Sequence, residues 1–261
     1  VECRRPDLRF PFPERFQTRL AGARIEALSR RGKYLLASLS TGETLIAHLG
    51  MSGRFTIEAS KRVDTGAFYY AEPPDPRHDH VVFVVKGAAT ARIVYNDPRR
   101  FGFMDLAASD RLESSAHFAR MGPEPLAPDF TAAAFNSALR DRVAPIKTSL
   151  LDQRVVAGVG NIYACEALFR AGISPKRRAA SVSGRRGERL HAAVREVLAE
   201  AIEAGGSTLR NFAAANGSGG VFQQSFSVYD REGAPCRNCD APVRRIVQGG
   251  RSTFYCGECQ R

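Results

Sequence analysis

Two Cys-x2-Cys pairs, Cys236-Arg237-Asn238-Cys239 and Cys256-Gly257-Glu258-Cys259, lie at the end of the chain and are separated by the sixteen residues Asp240 to Tyr255. Four thiolates can close a tetrahedral shell around Zn2+, and two knuckles on a hairpin-length spacer deliver them in that geometry. Such a shell leaves no open position for water, so the expectation is one structural zinc ion. Two disulfides are the competing reading. Adjacent knuckles make poor staples, however, and the opening Val1-Glu2-Cys3-Arg4-Arg5 carries no apolar signal segment to point to an oxidising compartment. The metal is therefore expected to hold a hairpin whose tip is Gly249-Gly250-Arg251-Ser252.

Three further clusters could do chemistry. Tyr95-Asn96-Asp97-Pro98-Arg99-Arg100-Phe101-Gly102-Phe103 sets two arginines beside two aromatic rings just after a strand. It reads either as a bulge with a solvated charge pair or as an arginine and an aromatic wedge for a base stack. His48-Leu49-Gly50-Met51-Ser52-Gly53 offers a glycine-flanked methionine at a strand end, which is either core filler or a wedge. Ala157-Gly158-Val159-Gly160 precedes a helix opening at Asn161. Its glycines allow close backbone approach, and the free N–H groups of the helix start can hold a phosphate; helical hairpins need glycine for packing too.

The elements that must position these residues follow from the patterning. Short apolar runs at 24–29, 34–39, 44–49, 54–58, 81–85 and 91–95, broken by turns such as Thr41-Gly42 and Lys86-Gly87, predict an antiparallel β-sandwich or barrel. The segment Glu72 to Pro76 is expected to be a loop. Helices are predicted from a cap at Asp129 to Arg140, over 145–153, over 161–171 with a stop at Gly172, and over 185–204 with Leu190, Val194, Val197, Leu198 and Ile202 on one face. The expected class is α+β multidomain, divided into a β domain at 1–106, a linker at 107–130, a helical domain at 131–230 and a zinc hairpin at 231–261. Lys and Arg number 38 against 27 Asp and Glu, a net charge of +11 dispersed over folded surfaces rather than gathered in a tail, which suits a polyanionic partner. No run of eighteen apolar residues occurs, so no membrane span is predicted.

In their order along the chain, Arg31-Gly32-Lys33-Tyr34-Leu35, His48 to Gly53, His78-Asp79-His80, Asp97 to Gly102, Gly158-Val159-Gly160-Asn161-Ile162-Tyr163 and the four-cysteine hairpin resemble the formamidopyrimidine-DNA glycosylases. The resemblance implies an N-terminal β-sandwich, a helix-two-turn-helix domain and a zinc hairpin, with DNA in a cleft between the halves. It also implies excision of oxidised purines, typically 8-oxoguanine and formamidopyrimidines, followed by strand cleavage at the abasic site. On this basis Met51, Arg99 and Phe101 would fill the space left by an everted nucleotide, with Arg99 on the orphaned partner base. His48, Arg100, Asn161 and Arg251 would clamp phosphates, His78 and Arg142 would make further DNA contacts, and Lys147 would approach the lesion. Lys33 and Arg251 fall where proton donors for strand cleavage lie, and Asn216 to Gln224 is similar to the loop that closes over an everted purine.

The family's nucleophile, the amino group of an N-terminal proline in a Pro-Glu-Leu-Pro-Glu-Val-Glu opening, has no counterpart at Val1-Glu2. An α-amino group with a pKa near 7.7–8.0 suits Schiff-base chemistry better than a lysine near 10.4. Leu8-Arg9-Phe10-Pro11 matches a segment inside the family's first domain, so roughly two dozen residues are expected to precede Val1 in a complete enzyme. Imine chemistry is expected with that opening and DNA binding alone without it. The expected partner is double-stranded DNA with oxidised bases or abasic sites, met by a monomer in the cytoplasm on the nucleoid. An endonuclease VIII-like enzyme for oxidised pyrimidines and a non-catalytic binder of damaged DNA are the competing readings.

Overall fold

The computed structural model describes residues 1–59, 74–87, 89–207 and 220–261. It divides into two compact units, Val1–Ala119 with Ser207–Gly220, and Arg120–Gly206 with Val221–Arg261.

Among the described residues the first unit is a pair of four-stranded antiparallel sheets. One has the order β1 (Glu2–Cys3), β6 (Asp79–Lys86), β7 (Thr90–Asn96), β5 (Arg54–Ala59); the other has β2 (Ile25–Arg31), β3 (Tyr34–Leu39), β4 (Glu43–His48), β8 (Phe103–Ala108). Leu39, Ala47, Met104 and Leu106 of one sheet meet Val81 and Tyr95 of the other in a shared core, which is the face-to-face packing of a sandwich. The alternating runs of the sequence thus became strands. The apolar run of β8, followed by the acidic and basic residues of 109–113, escaped the sequence reading, as did the short helix α1 (Phe16–Leu20). In the β3–β4 turn Gly42 adopts φ +78°, a conformation open to glycine at little cost.

The second unit is helical: α2 (Ala132–Leu139), α3 (Ile146–Leu151), α4 (Asn161–Arg170) and α5 (Arg185–Glu203) surround a core that includes Phe135, Leu150, Leu168, Leu190 and Val194. Two local expectations are corrected. The cap of α2 is Thr131, whose hydroxyl accepts from the Ala134 N–H at 3.1 Å, rather than Asp129. On α5, Ile202 is 65% exposed, and the apolar stripe continues through Ala193 and Ala201. Strands β9 (Val243–Gln248) and β10 (Arg251–Cys256) form the C-terminal hairpin, which packs on α4 through Cys165, Phe169, Val243 and Phe254. Among the described residues no helix is long and apolar enough to cross a membrane.

Candidate nucleic-acid interface

The four cysteines of the terminal knuckles converge. Their sulfurs all lie within 4.8 Å of one another, with Cys236 and Cys259 Sγ 3.8 Å apart and Cys239 and Cys256 Sγ 3.5 Å apart. A zinc–sulfur bond of about 2.3 Å implies a tetrahedron with edges near 3.8 Å, so the sulfurs fit Zn2+ closely. Backbone N–H groups of Asn238 and Cys259 point at Cys236 and Cys256 Sγ at 3.5 and 3.4 Å, which stabilises thiolates in both knuckles. The zinc they would hold is structural, because all four positions are sulfur.

The hairpin turns at Gly249-Gly250, with φ +55° and +71° between the paired residues Gln248 and Arg251. A two-residue turn with both φ positive matches the strand twist and requires residues tolerant of that conformation. Behind it the Ser252 carbonyl accepts from Asn161 Nδ2 at 2.9 Å and from Lys147 Nζ at 3.5 Å. Three predicted residues, Lys147, Asn161 and Arg251, are thereby gathered from α3, α4 and β10. Lys147 is fully buried. Burial, and then the Arg251 charge, push its ammonium below the usual lysine range. Asn161 opens α4 directly after Gly160, while Arg251 is exposed. A buried carboxylate missed in the sequence anchors the approach to this hairpin: Glu166 accepts from the N–H groups of Ser227, Val228 and Tyr229 at 2.8–3.0 Å.

Arg142 stands apart from that cluster. Its Nη1 donates to Asp152 Oδ2 at 2.8 Å and its Nε to the Ala138 carbonyl at 2.9 Å. Asp152 also receives Arg154, and these two guanidinium partners, Arg154 first, hold its carboxyl far below the usual carboxylate range.

A second cluster belongs to the sandwich unit. Met51 is 67% and Phe101 42% exposed, and the Arg99 guanidinium lies 4.6 Å from the Phe101 ring centroid. Asp97-Pro98-Arg99-Arg100 forms the turn, closed by the Arg100 N–H on the Asp97 carbonyl at 3.2 Å, with Arg100 at φ +54°. Arg100 Nη1 lies 3.7 Å from Asp7 Oδ1.

His48 ends β4 with its ring 5.5 Å from Phe103 in a stacked arrangement and 5.0 Å from Tyr34. Its Nδ1 accepts the Gly50 N–H at 3.0 Å, so the neutral ring carries its proton on Nε2 and remains a donor. Burial first, then the positive charges of Lys33 and Arg9, lower its pKa and favour that neutral form. Lys33 is exposed on the β2–β3 turn beside Gly32 at φ +55°. His78 closes a 3-10 turn at 76–78, and its carbonyl accepts the Asp97 N–H at 3.0 Å; its neighbour His80 is buried and donates from Nε2 to the Asp97 carbonyl at 2.9 Å. In the predicted closing loop, residues 216–219 lie outside the described residues, as do 72 and 73 of the proline-rich loop, while 222–225 form a 3-10 turn with Phe222 buried.

Comparison with known proteins covers the whole chain. Family models match residues 1–104 as a formamidopyrimidine-DNA glycosylase N-terminal domain, 121–213 as a formamidopyrimidine-DNA glycosylase H2TH domain and 233–261 as a zinc finger found in FPG and IleRS. The formamidopyrimidine-DNA glycosylase of Ruegeria pomeroyi is 53% identical, with the match covering 100% of this chain and 91% of that protein. The crystal structure of the MutM (Fpg) protein from Thermus thermophilus superposes with a TM-score of 0.83 at 41% identity, covering 95% of this chain and 86% of that one. Lactococcus lactis Fpg in complex with DNA containing an abasic site gives 0.84 at 32% identity, covering 100% and 90%. By sequence, fold and zinc knuckles alike, the chain belongs to the formamidopyrimidine-DNA glycosylase family.

Proposed function

We propose that this chain is a base-excision repair glycosylase with abasic-site lyase activity that everts and removes oxidised purines from duplex DNA. The observation that carries the reading is the Met51, Arg99 and Phe101 array: two exposed apolar side chains beside an exposed guanidinium on a turn backed by buried polar groups. Removing a base from the stack costs a few kcal/mol, and apolar side chains that replace it recover part of that cost. In this role Met51 and Phe101 fill the gap and Arg99 hydrogen-bonds the orphaned base. Related Lactococcus lactis proteins have been crystallised with DNA carrying an abasic site or Fapy-dG, which supports the same substrate class here.

The remaining residues take roles that fit their chemistry. His48 donates from Nε2, and Arg100, Asn161 and Arg251 offer further donors, to phosphates around the lesion. His78 and Arg142 make outer contacts. Lys147 approaches the lesion from behind Ser252. An amine attacks C1′ as the damaged base leaves, the sugar ring opens to an imine, and loss of a C2′ proton then expels the 3′ phosphate and so cuts the strand, with Lys33 and Arg251 supplying protons to the departing oxygens. The proposed division of labour gives the wedge to 1–106, the linkage to 107–130, helix-mediated backbone binding to 131–230 and presentation of Arg251 to the zinc hairpin at 231–261. The workplace is the nucleoid in a reducing cytoplasm, and the active species is a monomer.

The test is excision and borohydride trapping by the native gene product on matched duplexes containing 8-oxoguanine, formamidopyrimidine or thymine glycol. Faster release and a covalent crosslink on the two purine lesions are expected. Equal or greater turnover of thymine glycol would transfer the protein to the endonuclease VIII-like reading. Lesion binding without release or crosslink would leave a binder of damaged DNA.

A further inference from the structure

We infer that the buried carboxylate of Asp97 is a positioning residue that joins the Met51 loop and the Arg99–Phe101 turn into one rigid body, so that gap filling and partner-base reading are coupled. The inference rests on the function proposed above. Asp97 exposes none of its surface. Its Oδ1 accepts from the Ser52 hydroxyl at 2.5 Å and from the Arg99 N–H at 3.3 Å; its Oδ2 accepts from the Gly102 N–H at 2.9 Å and the Tyr95 hydroxyl at 3.1 Å. One side chain therefore holds the residue after Met51 and residues on both sides of Phe101.

The main chain of Asp97 is engaged as well. Its carbonyl accepts from His80 Nε2 at 2.9 Å and from the Arg100 N–H at 3.2 Å, and its own N–H donates to the His78 carbonyl. The two loops also touch backbone to backbone. A Cβ on Gly50 would fall 2.4 Å from the Phe101 carbonyl carbon, and a Cβ on Gly102 or Gly53 would fall 1.8 or 2.4 Å from the Tyr95 hydroxyl oxygen. That hydroxyl sits between the loops as a donor, since burial and then the charge of Asp97 raise its pKa well above the ordinary tyrosine value. Asp97 acts on Arg99 through its backbone, so neither the charge nor the length of the Arg99 side chain is used in the link.

All four groups facing the carboxylate donate to it, and Asn is a poor replacement: either way round its NH2 meets one hydroxyl, which can turn to accept, and one backbone N–H, of Arg99 or Gly102, which cannot. A rigid pair of loops loses little conformational freedom when it enters the stack, whereas two independent loops would each have to be ordered on binding. Coupled residues also give non-additive variants, which independent loops would not.

The experiment measures Kd by fluorescence anisotropy for duplexes with a tetrahydrofuran abasic analogue opposite cytosine or adenine, and for the undamaged duplex. A 2-aminopurine beside the analogue reports insertion into the stack. Asp97→Asn and Tyr95→Phe are each made in the parent and in Arg99→Ala. Asp97→Asn is expected to weaken tetrahydrofuran binding about 10- to 100-fold, to abolish the cytosine-to-adenine ratio and the 2-aminopurine response, and to leave undamaged-duplex binding within about 2-fold. Adding Arg99→Ala should then cost less than about 2-fold more. Tyr95→Phe, with one donor lost, should show the same pattern at about 3- to 10-fold, and it carries the test if Asp97→Asn does not fold. Effects of Asp97→Asn, or of Tyr95→Phe in its place, that multiply with those of Arg99→Ala, or that fall equally on damaged and undamaged duplex, would overturn the inference. A parent with no preference for the tetrahydrofuran duplex overturns the functional reading and this inference with it.

Discussion

A lysine with no exposed surface has to be explained by something other than folding stability. Lys147 meets the Ser252 carbonyl at 3.5 Å, and burial and the Arg251 charge both disfavour its ammonium. Its folded-state pKa lies below the unfolded value near 10.4, so between the two the unfolded chain binds the extra proton and stability rises with pH. Below that window the folded state carries the full penalty. Lys147→Met should therefore raise stability by about 0.5–2 kcal/mol at neutral pH, as removal of a functional burden does, while weakening lesion binding. Thermal unfolding of both proteins at neutral and alkaline pH checks this: the parent should gain relative to the variant as pH rises. A variant that melts below the parent at neutral pH would show that the ammonium is a net structural asset. The burial of Lys147 could not be read from its helix alone, because its partner Ser252 is 105 residues away. Asp97 was hidden for the same reason: Asp97-Pro98 announces a turn, but the Ser52 hydroxyl that completes its network comes from another loop.

At the scale of elements, the zinc hairpin was the most legible part because its information is local. Spacing alone brings the knuckles together, and the pairing of β9 with β10 needs only a two-glycine turn. What the hairpin does was less visible, since Asn161 and Lys147 converge on Ser252 only through tertiary packing. Two substitutions separate scaffold from contact. Cys256→Ser breaks the zinc shell and should unfold the hairpin, with loss of bound zinc and of lesion binding. Arg251→Ala should retain one zinc per chain and the parent melting profile, yet weaken binding to abasic-site duplex about 10-fold, the size expected for one charge-assisted phosphate contact. Zinc analysis beside the binding curves decides the matter, and parent-like binding by both variants would reduce the hairpin to scaffolding. The strands were legible from alternation, except β1, whose two residues are too few to show a pattern, and β8, whose partner β4 decides its state more than its own residues do. On α5 the helical period is plain in the sequence, but Ile202 near its end projects into solvent, where small residues rather than large ones complete the buried stripe.

For the molecule as a whole, a net charge of +11 is a statement about partners rather than about fold. Its pairs with carboxylates show which cations are already engaged: Arg170 is neutralised by Glu196 and Glu200, whereas Arg154 and Arg142 share the single charge of Asp152. Of the proposed contacts at His48, Arg100, Asn161 and Arg251, Arg100 lies 3.7 Å from Asp7 and would exchange that carboxylate for a phosphate, and only the cationic members displace counterions from DNA. His48, neutral through its Nδ1 acceptor bond and lowered pKa, and Asn161 add hydrogen bonds but no charge. The salt dependence of binding is therefore expected to count arginines and lysines, not all phosphate contacts. If about five cations meet phosphates, log K should fall against log salt with a slope of about −4.5. Arg251→Ala should make that slope shallower by about 0.9, whereas Asn161→Ala should lower affinity at every salt concentration and leave the slope unchanged. Titrations of one abasic-site duplex between about 50 and 200 mM salt, within the range where this dependence is steep, distinguish the two classes. A slope change in Asn161→Ala equal to that of Arg251→Ala would mean that the helix start organises neighbouring cations, and that the phosphate clamp cannot be divided into charged and neutral parts.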